Sequence, residues 1–387
     1  MNAEFDFQTA GRILFGKGKV NLVGKVCEKI GRHALLVVGT SEQNAKQVEK
    51  IIGDAGIEST LFTVQGEPVI ATAVNAAQVA VNSGCNVIIG CGGGSVIDTA
   101  KAAAALAQNP SDPYDYLEVV GKGLPLINNP LPLIAVPTTA GTGSEVTRNA
   151  VLHIPVHRVK VSLRDARMLP VVAIVDPLLT ITVPPELTAS TGMDALTQVI
   201  EPYVSVRANP FTDLFCKEGI QRGGRSLLRG YTNGQDIEAR EDLAFCSLMG
   251  GLALANAGLG AVHGLAAPIG GMFAAPHGAI CARLLPEVCR VNIRALQQRE
   301  PENPALERYL EIAKWLVSDS QARWDDLVRW LEQLCINLGI PGLSKYGITT
   351  QDIIPLADKA VHASSFKANP IPLGKLELVE ILESALH

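Results

Sequence analysis

NVIIGCGGGSVIDTAKAAAALAQ, residues 86–108, reads as a buried strand, a turn of three glycines and a helix. The strand is apolar on both faces, as a sheet covered on both sides requires. Gly92, Gly93 and Gly94 let a backbone come close to a ligand. Ser95 opens a helix whose free N–H groups and dipole attract an anion. The turn carries neither GxGxxG nor the GK[ST] ending of a P-loop, so it predicts a phosphate cradle outside those two motifs. A tight turn that merely packs helix on strand is the competing reading.

The same alternation repeats on either side. HALLVVG (33–39), STLFTV (59–64), LPLIAVPT (131–138) and VVAIVDP (171–177) read as strands. SEQNAKQVEKIIGDAG (41–56) and VIATAVNAAQVAVNSG (69–84) read as helices, each closing on a glycine suited to a left-handed cap. Strands alternating with helices imply a parallel sheet with crossover connections. After VVAIVDP the segments turn long and helix-periodic, as in LERYLEIAKWLV (306–317) and RWDDLVRWLEQLCINLG (323–339). The expected organisation is an α/β domain over 1–182 and an all-helical domain over 183–387, packed with a cleft between them.

Composition narrows the function. A chain of 387 residues has room for about two to three domains. With 47% hydrophobic and 18% charged residues it is a folded globule, and a net charge of −5 argues against a nucleic-acid partner. Eight cysteines, at 27, 85, 91, 216, 246, 281, 289 and 335, form no CxxC pair, which fits free thiols in a reducing cytoplasm. Neither a secretory signal nor a run of 18 apolar residues is found, so a soluble cytoplasmic protein is expected, without a membrane partner.

Two further stretches carry chemistry. PTTAGTGSEVT (137–147) follows the next strand and is dense in hydroxyls and glycines; in an open parallel sheet ligands sit at the carboxyl ends of strands, where both loops lie. In the helical half, Asp194 and Gln198 of TGMDALTQVIE lie i,i+4 on one helix face. His263 and His277 are the only histidines between residues 158 and 361. Together they offer a carboxylate, an amide oxygen and two imidazoles to a divalent cation, though spacing alone fits hydrogen-bonded core residues as well. His153 and His157, also i,i+4, lie in a stretch that reads as strand or loop and are taken as surface residues.

GGGSVIDTAK, PTTAGTGSEVT, AIVDPLLTITVPPELTASTGMDALT, EPYVS, VHGLAAPIGG and HG…LLP occur in that order. In this the sequence resembles the iron-containing (group III) alcohol dehydrogenase family, over essentially the whole chain. The resemblance implies a Rossmann-like nucleotide-binding domain plus an all-α domain, the dehydroquinate synthase-like architecture. It also implies a homodimer, a nicotinamide cofactor and a metal in the cleft, with a small alcohol or carbonyl compound as substrate. Carried over, the pyrophosphate lies on Gly93, Gly94 and Ser95, with Gly92 also in the cofactor site. Asp98, Thr138, Thr139 and Thr147 line the rest of the dinucleotide site, and Lys160 approaches the nicotinamide ribose. Asp194, His263 and His277 match three metal ligands, and His263, His277 and Lys160 are the catalytic candidates. Gln198 stands where the family has a fourth ligand histidine, and Ala267 replaces a further active-site histidine.

An amide oxygen binds Fe²⁺ or Zn²⁺ less tightly than imidazole. Either a cation sits among Asp194, Gln198, His263, His277 and a water, or histidine and lysine hydrogen bonds polarise the substrate oxygen. The second case resembles the metal-independent maleylacetate reductases acting on oxo-acids; a nucleotide-binding protein without catalysis is the reading from another class. Where NAD enzymes commonly place an acid for the ribose 2′-hydroxyl, this chain has Gly39, Thr40 and Ser41, so NADP is admitted beside NAD.

Overall fold

The first strand of this chain holds three residues, and its place in the sheet is set by partners far along the sequence. The computed structural model describes residues 4–361 and 363–387. By contacts the chain forms two units, Gln8–Thr182 and Val183–His387, with residues 4–7 joining the second. That N-terminal stretch departs from the expected 1–182 assignment because its aromatic rings find helical partners: Phe5 lies 5.1 Å from Phe211, and Phe7 lies 5.7 Å from Phe215.

The first unit contains β1 (Ile13–Phe15), β2 (His33–Val38), β3 (Glu58–Thr63), β4 (Val87–Gly92), β5 (Leu133–Pro137), β6 (Asn149–Ile154), β7 (Val159–Arg164) and β8 (Val172–Val175). Its helices are α1 (Val23–Cys27), α2 (Glu42–Asp54), α3 (Ile70–Asn82) and α4 (Gly94–Gln108). Six strands pair in parallel in the order β1-β8-β5-β4-β2-β3, and β6 and β7 form a separate antiparallel ribbon. The two-residue period of a strand explains the two cores. Leu35 and Val37 of β2 join the core with α3 and α4, whereas Ala34, Leu36 and Val38 join the core with α1 and α2. Both expected closing glycines, Gly56 and Gly84, have φ near +70°.

Strand order fixes where a ligand can bind. From β2 the chain crosses to β3 on one side, then returns to β4 on the other side of β2 and moves on to β5. The direction of winding therefore reverses between β2 and β4. A crevice opens at the carboxyl ends of strands at such a reversal. Gly39–Ser41 follow β2 and Gly93–Ser95 follow β4 there.

The second unit is helical: α5 (Pro185–Val204), α6 (Pro210–Thr232), α7 (Ile237–Ala257), α8 (Ala261–Met272), α9 (His277–Arg299), α10 (Ala305–Val317), α11 (Trp324–Asn337), α12 (Thr350–Ala360) and α13 (Lys375–Ser384). Its centre is α5, buried from Met193 to Val204 and packed on α6, α7 and α9. Starts are set locally. Asn209 accepts from the backbone N–H of Phe211 and Thr212 while Pro210 takes the first position of α6. No single helix among the described residues is long and apolar enough to cross a membrane.

Candidate active site

In the sheet unit the glycine turn and the 137–147 loop converge. Gly93 caps α4, so the N–H groups of Gly94 and Ser95 that open the helix have no intrahelical carbonyl to bond. A Cβ on Gly94 would lie 2.7 Å from Thr142 Cγ2, and one on Gly93 would lie 3.2 Å from Thr139 Oγ1. Side chains at these positions would fill the turn. The Thr138 N–H donates to Gly92 O at 3.0 Å, joining the two loops directly. Thr138 and Thr139 are half-buried beside the glycines, while Thr40 and Ser41 are exposed at the end of β2.

Asp98 and Thr147, two residues expected to line the dinucleotide site, also bond within the protein. The Asp98 carboxylate accepts from the Ser144 hydroxyl, from the Val151 N–H at 3.0 Å and from Lys101 at 3.2 Å. Thr147 is buried, and its Oγ1 accepts from Lys101 Nζ at 2.9 Å. Asp98 and Lys101 thus pin the 137–147 loop to α4, which positions Thr138 and Thr139. Lys160, on β7, lies 2.8 Å from Glu67, and His157 is exposed in the turn after β6.

Lys101 is fully buried, a feature the sequence reading did not weigh. Burial lowers its pKa against the pull of Asp98. Glu145, also buried, is pushed up to about 7 by burial, with Lys101 opposing. Native Glu145 therefore holds its proton where the unfolded chain has released it. Its stabilising contribution is present below the ordinary glutamate value and is lost as pH rises through about 7. Glu145→Gln should remove this slope, leaving the variant more stable than the parent at pH 8 by up to roughly 3 kcal/mol but not at pH 4. Denaturation midpoints at both pH values check it.

In the helical unit five polar side chains meet. Asp194 and Gln198 come from α5, His263 from the first turn of α8, and His277 and Cys281 from the first two turns of α9. Close helix approach brings them together. A Cβ on Gly278 would sit 2.3 Å from Ser190 O, so only glycine lets the start of α9 lie on α5 one turn before Asp194. The N–H groups of Ala261 and Val262 donate to Asn369 Oδ1 at 3.1 Å and Glu201 Oε1 at 2.7 Å, which seats the start of α8.

Asp194 Oδ1 lies 3.4 Å from His263 Nε2 and 3.8 Å from His277 Nε2. Cys281 Sγ is 3.6 Å from His277 Nε2. Ligand atoms of Asp194, His263, His277 and Cys281 all fall within 4.8 Å of one another. Behind them Glu201 Oε2 meets His263 Nδ1 at 2.6 Å, which holds the proton there and turns Nε2 to the centre. Burial works against a charged His263, yet Cys281, Glu201 and Asp194 outweigh it and hold its pKa well above the usual value. Burial also tends to raise the Asp194 value, but His277 and His263 bring it below the usual range.

Five buried side-chain polar atoms among the described residues lack a hydrogen-bond partner, and three are here: Asp194 Oδ1, Gln198 Oε1 and His263 Nε2. Buried polar atoms are normally paired, so Asp194 Oδ1 and His263 Nε2, both orphaned and 3.4 Å apart, mark the place of a missing partner. A carboxylate, two imidazoles and a thiol suit a divalent transition metal. Ala267, one turn beyond His263 on α8, adds no donor.

Glu201 and Cys281 were missed in the sequence. Each had a signal: Glu201 lies seven residues after Asp194 and so shares its face, and Cys281 lies i,i+4 from His277. A thiol with no nearby cysteine gives no CxxC pattern, and this one joins His277 of its own helix with Asp194 and His263 from two others.

A family model described as iron-containing alcohol dehydrogenase matches residues 10–177, and one described as Fe-containing alcohol dehydrogenase family, C-terminal, matches 188–386. The 1,3-propanediol dehydrogenase of Citrobacter freundii is 35% identical over 98% of this chain and 98% of its own length. The NADPH-dependent butanol dehydrogenase of Clostridium saccharobutylicum is 33% identical over 97% and 96%. A crystal structure of 1,3-propanediol oxidoreductase superimposes with a TM-score of 0.91 at 33% identity, covering 99% of this chain and 100% of that one.

Proposed function

Because the chain belongs to the iron-containing alcohol dehydrogenase family, we propose that it is an NAD(P)-dependent oxidoreductase. It moves a hydride between nicotinamide and the carbinol carbon of a small alcohol, or the matching aldehyde or ketone. The observation that carries the metal-assisted form of this reading is the pair of orphaned buried atoms, Asp194 Oδ1 and His263 Nε2, that face each other in the helical unit.

Asp194, His263 and His277 hold a divalent cation, which when bound supplies Lewis acidity that lowers the pKa of an alcohol and polarises a carbonyl. Glu201 keeps the His263 proton on Nδ1 and so keeps Nε2 free as a ligand atom. His277, whose side chain is 36% exposed, presents the open side of the cluster to substrate. In the sheet unit the N–H groups of Gly94 and Ser95 receive the pyrophosphate, Gly92 and Gly93 leave room for it, and Thr138 and Thr139 contact the dinucleotide. Lys160 approaches the nicotinamide ribose. Eight buried unpaired cysteines support a reducing cytoplasm, and β1, an open sheet edge, supports a homodimer.

The test is turnover by purified protein with both nicotinamides and a panel of short alcohols and aldehydes, before and after chelation. Activity lost on chelation and restored by Zn²⁺ or Fe²⁺ is expected. Chelator-resistant turnover would favour the oxo-acid reductase reading, and dinucleotide binding without turnover the non-catalytic one.

Gly39 at the end of β2 sets the cofactor preference. No carboxylate there repels a 2′-phosphate, so NADP(H) is accepted. A Cβ at Gly39 meets only Val96 Cγ2, at 3.4 Å, so the position tolerates a side chain. Gly39→Asp should lower kcat/KM for NADPH by about 10²-fold through charge repulsion while sparing NADH. Steady-state kinetics with both cofactors decide it.

A further inference from the structure

We propose that Cys281 is a metal ligand of this chain, completing an Asp194/His263/His277/Cys281 centre that retains zinc in preference to ferrous iron, and that Gln198 positions Asp194 from outside the ligand set. The proposal rests on the reading that the cluster holds a cation, and departs from the expectation that Gln198 is the fourth ligand.

Gln198 Nε2 donates to Asp194 Oδ2 at 3.0 Å. Reversing the amide would set two oxygens against each other at that distance, so this orientation is the one the carboxylate selects. The amide thus fixes Asp194 with Oδ1 aimed at both histidines. Cys281 is fully buried, one helical turn from His277, with its sulfur inside the same 4.8 Å cluster. Asp194 Oδ1 and His263 Nε2, both buried and unpaired, point to an ion among them independently of the thiol. A thiolate is a soft donor, and a carboxylate, two imidazoles and one thiolate make a four-coordinate set suited to zinc. The chain has therefore kept four protein donors while replacing an imidazole by sulfur.

The test uses the full-length protein stripped of metal and reloaded with Co²⁺ or Zn²⁺. The Co²⁺ protein should show an intense near-ultraviolet sulfur-to-cobalt charge-transfer band. The Zn²⁺ protein should show one sulfur at about 2.3 Å beside lighter atoms at about 2.0–2.1 Å by X-ray absorption. Cys281→Ser should lose the band and weaken zinc retention against a chelator by at least the ~10–100-fold that even an outer-shell partner is worth. Gln198→Ala should keep the band. Stoichiometric Co²⁺ without the band overturns Cys281 as a ligand and leaves the metal-assisted reading intact. Failure to bind either metal overturns both. Tighter retention of Fe²⁺ than of Zn²⁺ overturns the selectivity. The spectrum of the unsubstituted protein stands even if Cys281→Ser does not fold.

Discussion

His263→Ala is expected to empty the helical cluster of metal and to cut kcat/KM by about 10²–10³-fold or more, since it removes a ligand and the charge stabilisation that depends on it. The loss reaches beyond one nitrogen. Glu201 would keep a buried carboxylate oxygen whose 2.6 Å partner has gone, a penalty of roughly 1–3 kcal/mol or more. Lower thermal stability should therefore accompany the lost activity. Glu201→Gln separates the two effects, because it leaves the ligand in place and loosens only its orientation. It should bind metal about 10–100-fold less tightly while remaining active at saturating metal. Metal content and kcat/KM of both variants check the assignment, and a His263→Ala protein with full metal and full activity would refute it.

Ser95→Asp is expected to weaken NAD(P)H binding by about 10²–10³-fold without harming the fold. Ser95 is the second residue of α4, beside the N–H groups that receive the pyrophosphate in the proposed mode. A carboxylate about 5 Å from a phosphate at an effective dielectric of about 20 costs roughly 3 kcal/mol, or about 10²-fold, and the second phosphate adds to it. The same charge at a helix N-terminus stabilises the helix by about 0.3–1 kcal/mol. Binding and melting temperature should therefore move in opposite directions, a pattern that general unfolding cannot produce. Unchanged dinucleotide affinity would show that the glycine turn only packs helix on strand.

The strands and crossover helices around the glycine turn were legible because each is long enough to display its period. The structure adds β1, and it makes strands β6 and β7 of the stretch around His153 and His157, whose sequence reads equally as strand or loop. With three half-buried residues, β1 is held by pairing with β8, about 160 positions later. β6 and β7 alternate buried Ala150, Leu152, Ile154, Val161 and Leu163 with Asn149, Val151, His153, Lys160, Ser162 and Arg164, which are half-buried or exposed. Pairing with each other makes them strands.

By itself the amino-acid sequence determined the α/β-then-helical order, the glycine turn at Gly92–Ser95 that opens a helix and, through family resemblance, the choice of Asp194, His263 and His277 as candidates. Those features depend on local period, backbone freedom and ordered motifs, all of which are written along the chain. Only the tertiary structure decided the reversal of winding between β2 and β4, the network that joins Asp98 and Thr147 to buried Lys101, and the addition of Cys281 and Glu201 to the cluster. Each of these depends on which helix or strand packs against which. Spacing along one helix says which side chains share a face, but not which other faces, tens of residues away, are brought within 4 Å of it.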